Sequence, residues 1–267
     1  MDPVTYLPCK GLSPYVKHHR VYQFEPGGTS TVLFPSGYIE LAINISSGKL
    51  TTKFDNRDVD MPDIEVLGQL TAPTPINVKT SISLLVTRFY PETSLLFFPG
   101  SAQHFTNQSI DLSDILNDDA IRLYQALQNV ESLSGKIQTV EAFLLNRLVT
   151  DPATIRKIKL VQDVCFRMAS EPHTYNSENL AADYGFSERY LQKLFTQYTG
   201  LTPKLFFNIQ RFNKALPLLR DGDTSLTSVA YECGYYDQSH FIKHFRTFTG
   251  TTPSAYLDAL MVSYTGN

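Results

Sequence analysis

Residues 176–256 say nearly the same thing twice, and that repetition limits the fold more than any other feature of the chain. Leu180-Ala181-Ala182-Asp183-Tyr184-Gly185-Phe186 reads against Val229-Ala230-Tyr231-Glu232-Cys233-Gly234-Tyr235 at an offset of 49 residues. One additional residue in the second copy, Tyr236, moves the offset to 50. Leu191, Phe195, Gly200 and Pro203 then fall on Phe241, Phe245, Gly250 and Pro253. A duplication that holds its register is one supersecondary unit used twice.

Each copy reads as helix, tight turn, helix. In the first, Asn176 or Ser177 offers a capping oxygen to a short helix, and Gly185 stops it. Ser187 caps a second helix in which Tyr190, Leu191, Leu194, Phe195 and Tyr198 make one apolar stripe. Gly200 closes that helix and Pro203 suits the first turn of the next. The second copy uses Gly234 as the stop, Asp237 as the cap and Phe241, Phe245 and Phe248 as the stripe, with Gly250 and Pro253 at its end. Two short helices joined by a glycine-containing turn fit the helix-turn-helix description, whose second helix enters the DNA major groove. A lone pattern of this kind is weak, because short helical hairpins are common packing units. The paired, registered layout is what packing alone does not explain.

About a hundred C-terminal residues resemble the DNA-binding domain of AraC/XylS-type transcription regulators. The first unit contributes Leu180-Ala181, Gly185-Phe186-Ser187, Leu191, Phe195, Gly200 and Pro203, and the helix after it Arg211, Ala215 and Leu218-Leu219. The second unit contributes Val229-Ala230, Gly234-Tyr235, Ser239-His240-Phe241, Phe245-Arg246, Gly250 and Thr252-Pro253-Ser254-Ala255-Tyr256. The resemblance implies an all-α domain with two helix-turn-helix units joined by a linker helix from Pro203 to Arg220. Phe34-Pro35-Ser36-Gly37-Tyr38-Ile39-Glu40-Leu41 and Arg88-Phe89-Tyr90-Pro91 resemble a sensor-like domain found ahead of such units, which names no ligand.

The chain has 267 residues, enough for two domains with a sizeable core in each. The expected class is α+β with two domains: residues 1–150 form a β-rich sandwich or barrel followed by helices, and residues 151–267 the DNA-binding domain. Strands are expected at Thr31–Phe34, Tyr38–Asn44, Leu50–Phe54, Ile64–Leu67, Ile76–Ile82 and Leu84–Phe89, with Pro73, Pro75, Pro91 and Pro99 between several of them. In Tyr38–Asn44, Ile39, Leu41, Ile43 and Ile45 share one face, and Tyr38, Glu40, Ala42 and Asn44 the other. Ser46-Ser47-Gly48-Lys49 reads as a turn that lets Leu50–Phe54 return as a hairpin partner. From Asp111 the pattern turns helical: a short segment opens at Asp111-Leu112-Ser113-Asp114, and longer ones cover Asp118–Asn129 and Ser134–Val149. In the last, Ile137, Val140, Leu144 and Leu148 form a stripe that serves either dimerisation or packing on the β domain. Asp151-Pro152 marks the boundary, and Thr154–Met168 opens the second domain.

The formal net charge is −3, an unpromising sign for a nucleic-acid binder until it is split. Residues 1–150 carry 11 basic and 15 acidic side chains, net −4, whereas residues 151–267 carry 12 and 11, net +1. The sign is right but the size is small, so non-specific DNA affinity should be modest and fall quickly with salt. No run of about 18 apolar residues suggests a membrane span. The N-terminus lacks a basic stretch followed by an apolar one, so a cytoplasmic location is expected. Cys9, Cys165 and Cys233 are far apart and odd in number, which reads as reduced thiols, not a disulfide frame or zinc cluster.

With Leu191 and Phe195 inward, Arg189, Gln192 and Lys193 gather on the outer face of the first reading helix. Arg and Lys donate to guanine O6 and N7, and Gln bridges adenine N6 and N7. With Phe241 and Phe245 inward, Gln238, Ser239, His240, Lys243 and His244 are outward in the second. The resemblance places Arg189, Gln192 and Lys193, and Ser239, His240 and Lys243, at base-facing positions. Arg246 and Lys204 are candidate phosphate contacts. The bland alternative is a solvated helix face. A rigid linker helix would set both reading helices in successive major grooves about 34 Å apart. Pro217 departs from the family pattern, and an interior proline, at about 3 kcal/mol, is expected to kink or shorten that helix.

Other chemistries fare worse. His240 and His244 stand four apart, but no Glu follows His240 as a zinc protease helix requires. No metal, cofactor or catalytic set is implied, and Cys9 lacks the neighbouring cysteines of a zinc-held repair site. For a small effector the candidates are Tyr38, Glu40, Arg88 and His104; the ordinary reading is that the Ile39/Leu41/Ile43/Ile45 face fills the interior and the polar face meets water. Promoter DNA is the expected partner, with RNA polymerase, a small-molecule effector and a second copy of the chain as further ones. The competing reading is a protein-interaction module whose DNA-binding unit is degenerate.

Overall fold

A computed structural model of the chain describes residues 4–26, 31–54, 57–171, 175–220 and 224–258. Among the described residues the N-terminal part has ten strands. They are β1 (Thr5–Tyr6), β2 (Val16–Phe24), β3 (Thr31–Leu33), β4 (Glu40–Asn44), β5 (Leu50–Phe54), β6 (Arg57–Asp60), β7 (Ile64–Leu67), β8 (Thr74–Val78), β9 (Ile82–Phe89) and β10 (Ser109–Asp111). One sheet has the order β1-β2-β9-β4-β7-β10 and the other β3-β8-β5-β6, with antiparallel pairing throughout.

Strand β4 runs through the middle of the larger sheet, Glu40 lying opposite both Arg88 of β9 and Leu67 of β7. Both of its faces are covered. Leu41 and Ile43, at 0 % and 1 % exposure, join the main core with the helices, whereas Ala42 packs with Leu50, Ile76, Ile82, Leu84 and Val86 of a smaller core. The polar face expected to meet water therefore faces the second sheet, a tertiary arrangement that alternation within one strand does not report. The expected hairpin is also corrected: β5 pairs with β6 and β8, not with β4. Asn44 donates through Nδ2 to the Gly48 carbonyl at 2.9 Å, holding a turn that carries the chain from one sheet to the other.

The nine-residue β2 was not expected, because its polar run Lys17-His18-His19-Arg20 hides the period of two. Both histidines are nonetheless buried, at 6 % and 0 %. His19 Nδ1 and Thr87 Oγ1 are 2.8 Å apart. Burial, helped by Arg20, holds the His18 imidazole down to about 3.

The helices follow as α1 (Leu112–Leu116), α2 (Asp118–Gln128), α3 (Leu133–Arg147), α4 (Pro152–Ser170), α5 (Ser177–Asp183), α6 (Glu188–Thr199), α7 (Pro203–Arg220), α8 (Leu226–Glu232) and α9 (Gln238–Thr249). Side-chain caps start most of them: Asp111, Ser132, Asp151, Asn176, Ser187, Ser225 and Asp237 each accept from a backbone N–H two or three residues on. Ile137, Val140 and Leu144 of α3 are buried within this chain, whereas Leu148 is its half-buried C-cap. Pro217 is exposed, and α7 is neither interrupted nor shortened by it.

The β-rich part grips the C-terminal helices at three places. Phe34 meets Phe212 of α7 edge-on at 6.4 Å, and Asn213 donates to the Ser36 carbonyl at 2.8 Å. Thr106 donates to the Gly200 carbonyl at 2.8 Å. Gly200 has φ +81°, and a Cβ there would stand 2.8 Å from the Ala102 carbonyl oxygen, so both conformation and space call for glycine. The third contact is Glu92, 1 % exposed, whose carboxyl meets Gln162 and Cys165 of α4. No helix among the described residues is long and apolar enough to cross a membrane.

Candidate nucleic-acid interface

The two helix-turn-helix units share most of their turn and cap hydrogen bonds. Phe186 N–H donates to the Ala181 carbonyl at 3.0 Å, and Tyr235 N–H to the Ala230 carbonyl at 2.9 Å. Gly185 and Gly234 turn at φ +72° and +73°, and Gly200 and Gly250 close α6 and α9 at +81° and +77°. Ser177 Oγ donates to Glu188 Oε1 across the first pair of helices, and fifty residues on Thr227 Oγ1 donates to Gln238 Oε1 at 2.9 Å. Thr199 donates to the Phe195 and Leu201 carbonyls, and Thr249 to those of Phe245 and Thr251. The turn and C-terminal ties recur at equal positions, and the hydroxyl tie is shifted by one residue in the second unit, so the second helix of each unit takes a similar seat.

In α6, Leu191, Leu194, Phe195 and Tyr198 are buried, but Tyr190 is 44 % exposed and leaves the expected stripe to pack at a tilt on Phe186, ring centres 4.8 Å apart. Arg189, Gln192 and Lys193 are all exposed and lie together on the outer face. Gln192 and Lys204 also line one cleft of about 220 Å³ between α5, α6 and the start of α7, with Tyr175 and Glu188. Lys204 is exposed on the first turn of α7, as is Arg246 near the end of α9.

The second unit is narrower than its sequence suggests. Phe241, Phe245 and Phe248 are buried, and Ser239 and Lys243 are exposed. Gln238 is half-buried with its amide oxygen already engaged by Thr227. His240 is half-buried, its ring 5.4 Å from Tyr235 and 4.5 Å from His244. His244, expected to point outward, packs edge-on against Tyr235 at 5.7 Å and Phe248 at 6.3 Å. Burial, and then the neighbouring His240, push its pKa down to about 4, so it brings no charge to this face at neutral pH. Among the described residues no three His, Cys, Asp or Glu side chains converge as a metal set.

Of the effector candidates, the structure gathers three. Arg88 Nε donates to Glu40 Oε1 at 2.6 Å, and its guanidinium stands 5.1 Å from the Tyr38 ring centre. Lys17, which the sequence did not single out, donates to Tyr38 Oη at 2.6 Å. His104 is not part of this group; it is exposed on the 3-10 turn Ala102–Phe105, which packs against α6. The same sheet face carries a residue that sequence reading passed over. Glu65 is 0 % exposed, accepts from Ser109 Oγ and has its other oxygen without a partner. Burial pushes its carboxyl up to about 8.

A β-rich part followed by two helix-turn-helix units on one linker helix is an arrangement similar to that of AraC/XylS-type regulators. Residues 180–259 match the family model described as helix-turn-helix domain, and that segment is similar to the AraC-type members of such domains. Residues 4–111 match a second model, described as a domain of unknown function (DUF6597). The HTH-type transcriptional activator RhaS of Klebsiella pneumoniae is 44 % identical over 69 residues, 26 % of this chain and 25 % of that protein. RhaS of Escherichia fergusonii is 41 % identical over 76 residues, 28 % of this chain and 27 % of that protein. The chain thus matches about a quarter of the length of these relatives. A crystal structure of ToxT from Vibrio cholerae shares the fold along 90 % of this chain and 97 % of its own, with a TM-score of 0.51 at 12 % identity.

Proposed function

We propose that the chain is a sequence-specific transcription regulator that reads two adjacent major grooves of promoter DNA, one with each helix-turn-helix unit. The observation that carries this reading is the matched seating of α6 and α9. Each follows a tight glycine turn, carries exposed polar side chains in its first two turns, and is tied at its first residue to a hydroxyl of the helix before it. Arg189, Gln192 and Lys193 take the first groove. Ser239 and Lys243, with Gln238 and His240 at the edge, take the second. Lys204 and Arg246 sit where phosphates would pass. The division of labour falls near residue 150, between the end of α3 and the start of α4: a sensor or dimerisation part before it and the DNA-reading part after it.

The Tyr38, Glu40, Arg88 and Lys17 group is the place we assign to a small effector, and its action would reach DNA through the contacts of Phe34 and Ser36 with α7. The role is non-enzymatic and cytoplasmic, and dimerisation and contact with RNA polymerase are consistent with it.

The test is DNA binding on oligonucleotides selected by the chain itself. Arg189→Ala should weaken binding by about 1–3 kcal/mol and relax preference at a single base pair, whereas Lys204→Ala should weaken it on all sequences and lower the salt slope by about one. Footprints and base preferences unchanged by Arg189→Ala contradict the assigned role. Binding that vanishes between low and moderate salt, with no sequence preference, supports the degenerate-module reading instead.

A further inference from the structure

Arg211 lies in the middle of α7 and is 6 % exposed, on a helix face whose other members are Phe207, Phe212 and Ala215. Burial draws its pKa down from the usual guanidinium value. A buried cation in that setting has to be answered by acceptors. It is answered by the backbone of the second unit: Nε donates to the Cys233 carbonyl at 2.9 Å and Nη2 to the Gly234 carbonyl. Those carbonyls stand at the C-terminal end of α8, where the last groups of a helix lack intrahelical partners and the helix dipole is negative. The planar fork supplies two donors in a fixed geometry, and its face lies 3.7 Å from the Tyr235 ring centre.

Tyr235 carries the constraint onward. Its ring packs on Phe241 at 5.2 Å, His240 at 5.4 Å and His244 at 5.7 Å, three residues on the first two turns of α9. The guanidinium therefore fixes the turn, and the turn fixes the roll and tilt of α9 over α7. The first unit is tied to its preceding helix differently, at the surface, by Arg167 to Asp183 at 2.6 Å and by Tyr184 donating to Asp163. The two units share their internal bonds but not the bond that orients them.

We propose that Arg211 is the positioning residue of the second reading helix: it touches no DNA, and it sets the angle at which α9 meets its groove. This rests on the DNA-reading function assigned above and adds to it an asymmetry, since loss of Arg211 disables one half-site and spares the other. Arg211→Met keeps the stem and most of the volume but leaves both carbonyls without the fork. Arg211→Lys keeps one donor.

The experiment is a hydroxyl-radical footprint of the full chain on oligonucleotides selected by the wild type, at concentrations corrected for the folded fraction by circular dichroism. Arg211→Met should keep protection over the half-site read by α6 and lose it, with its base preference, over the half-site read by α9. Overall affinity should fall at least ten-fold, with Arg211→Lys in between. Both half-sites retained at wild-type affinity, or both lost in proportion, would overturn the proposal. Amide hydrogen exchange supplies a second reading without DNA. Arg211→Met should speed exchange across residues 230–246 and leave 177–200 unchanged, and equal exchange in both segments overturns the assignment. A wild-type chain that binds no DNA defeats the DNA-reading function, and the exchange result still decides the role of Arg211.

Discussion

Phe212→Ala should cost about 3–5 kcal/mol, the usual range for deleting a buried phenyl ring, and lower the melting temperature by roughly 10 °C. The ring is fully buried, 5.5 Å from Phe245, 5.2 Å from Phe248 and 6.4 Å from Phe34. It is thus shared by the linker helix, the second reading helix and the β-rich part. Its neighbours are large rings fixed by their own packing, so the cavity closes poorly and the loss should lie at the high end. Because Phe34 loses its partner too, protease should cut between the β-rich part and α4 faster than in the wild type. Urea unfolding followed by far-UV circular dichroism is the direct measurement, the chain having no tryptophan. A shift below about 1 kcal/mol contradicts this packing.

The second large effect depends on pH. Glu65 titrates near 8 in the folded chain against about 4.5 unfolded, because burial disfavours its charged form. Glu92, buried against α4, titrates near 7 for the same reason. An acid whose folded pKa is raised contributes fully below the unfolded value, and the contribution is lost as pH rises through the folded one. For Glu65 that window runs from 4.5 to about 8 and spans about 5 kcal/mol; for Glu92 it runs from 4.5 to about 7 and spans about 3 kcal/mol. His18 and His244 act on the other side. Both are held neutral by burial, so their contribution is lost as pH falls from 6.5 toward 3 and 4. Stability should therefore fall between pH 6 and pH 8.5. Glu65→Gln, which keeps an acceptor for Ser109, should remove most of that fall and leave the pH 5 value nearly unchanged. A wild-type stability flat between pH 6 and 8.5 shows that Glu65 is ionised and solvated.

The C-terminal half was legible because its determinants are local. Caps, glycine stops and apolar stripes lie within a few residues of what they control, so Ser187, Asp237, Gly185 and Gly234 were readable in place, the first cap was narrowed to Asn176 or Ser177 and is Asn176, and α7 has the limits its Pro203 and Arg220 suggested. The errors there are side-chain ones. His244 sits on the outer arc of an ideal helix, yet the Tyr235 ring reaches over and draws it inward. Arg211 was read as part of the family resemblance but given no role, because its acceptors are backbone carbonyls 22 and 23 residues away. An arginine flanked at helical spacing by Phe207 and Ala215 was the available signal.

The β-rich half was legible in part. The strands at Ile64–Leu67 and Leu50–Phe54 were located, but which strand pairs with which is a long-range property. β2, β6 and β10 carry few apolar residues and owe their place to partners far along the chain. The burial of Glu65 follows from the same cause. Nothing within Ile64-Glu65-Val66-Leu67 says that a second sheet covers the side chain.

Selection of bound duplexes from a random pool by the full chain, at near-physiological salt, tests the account at its centre. Two unlike half-sites centred about 10 base pairs apart should emerge, one for α6 and one for α9, both within reach of a single chain. Enrichment of only one half-site, or of none above the starting pool, would contradict the claim that two reading helices are held on one linker for adjacent grooves.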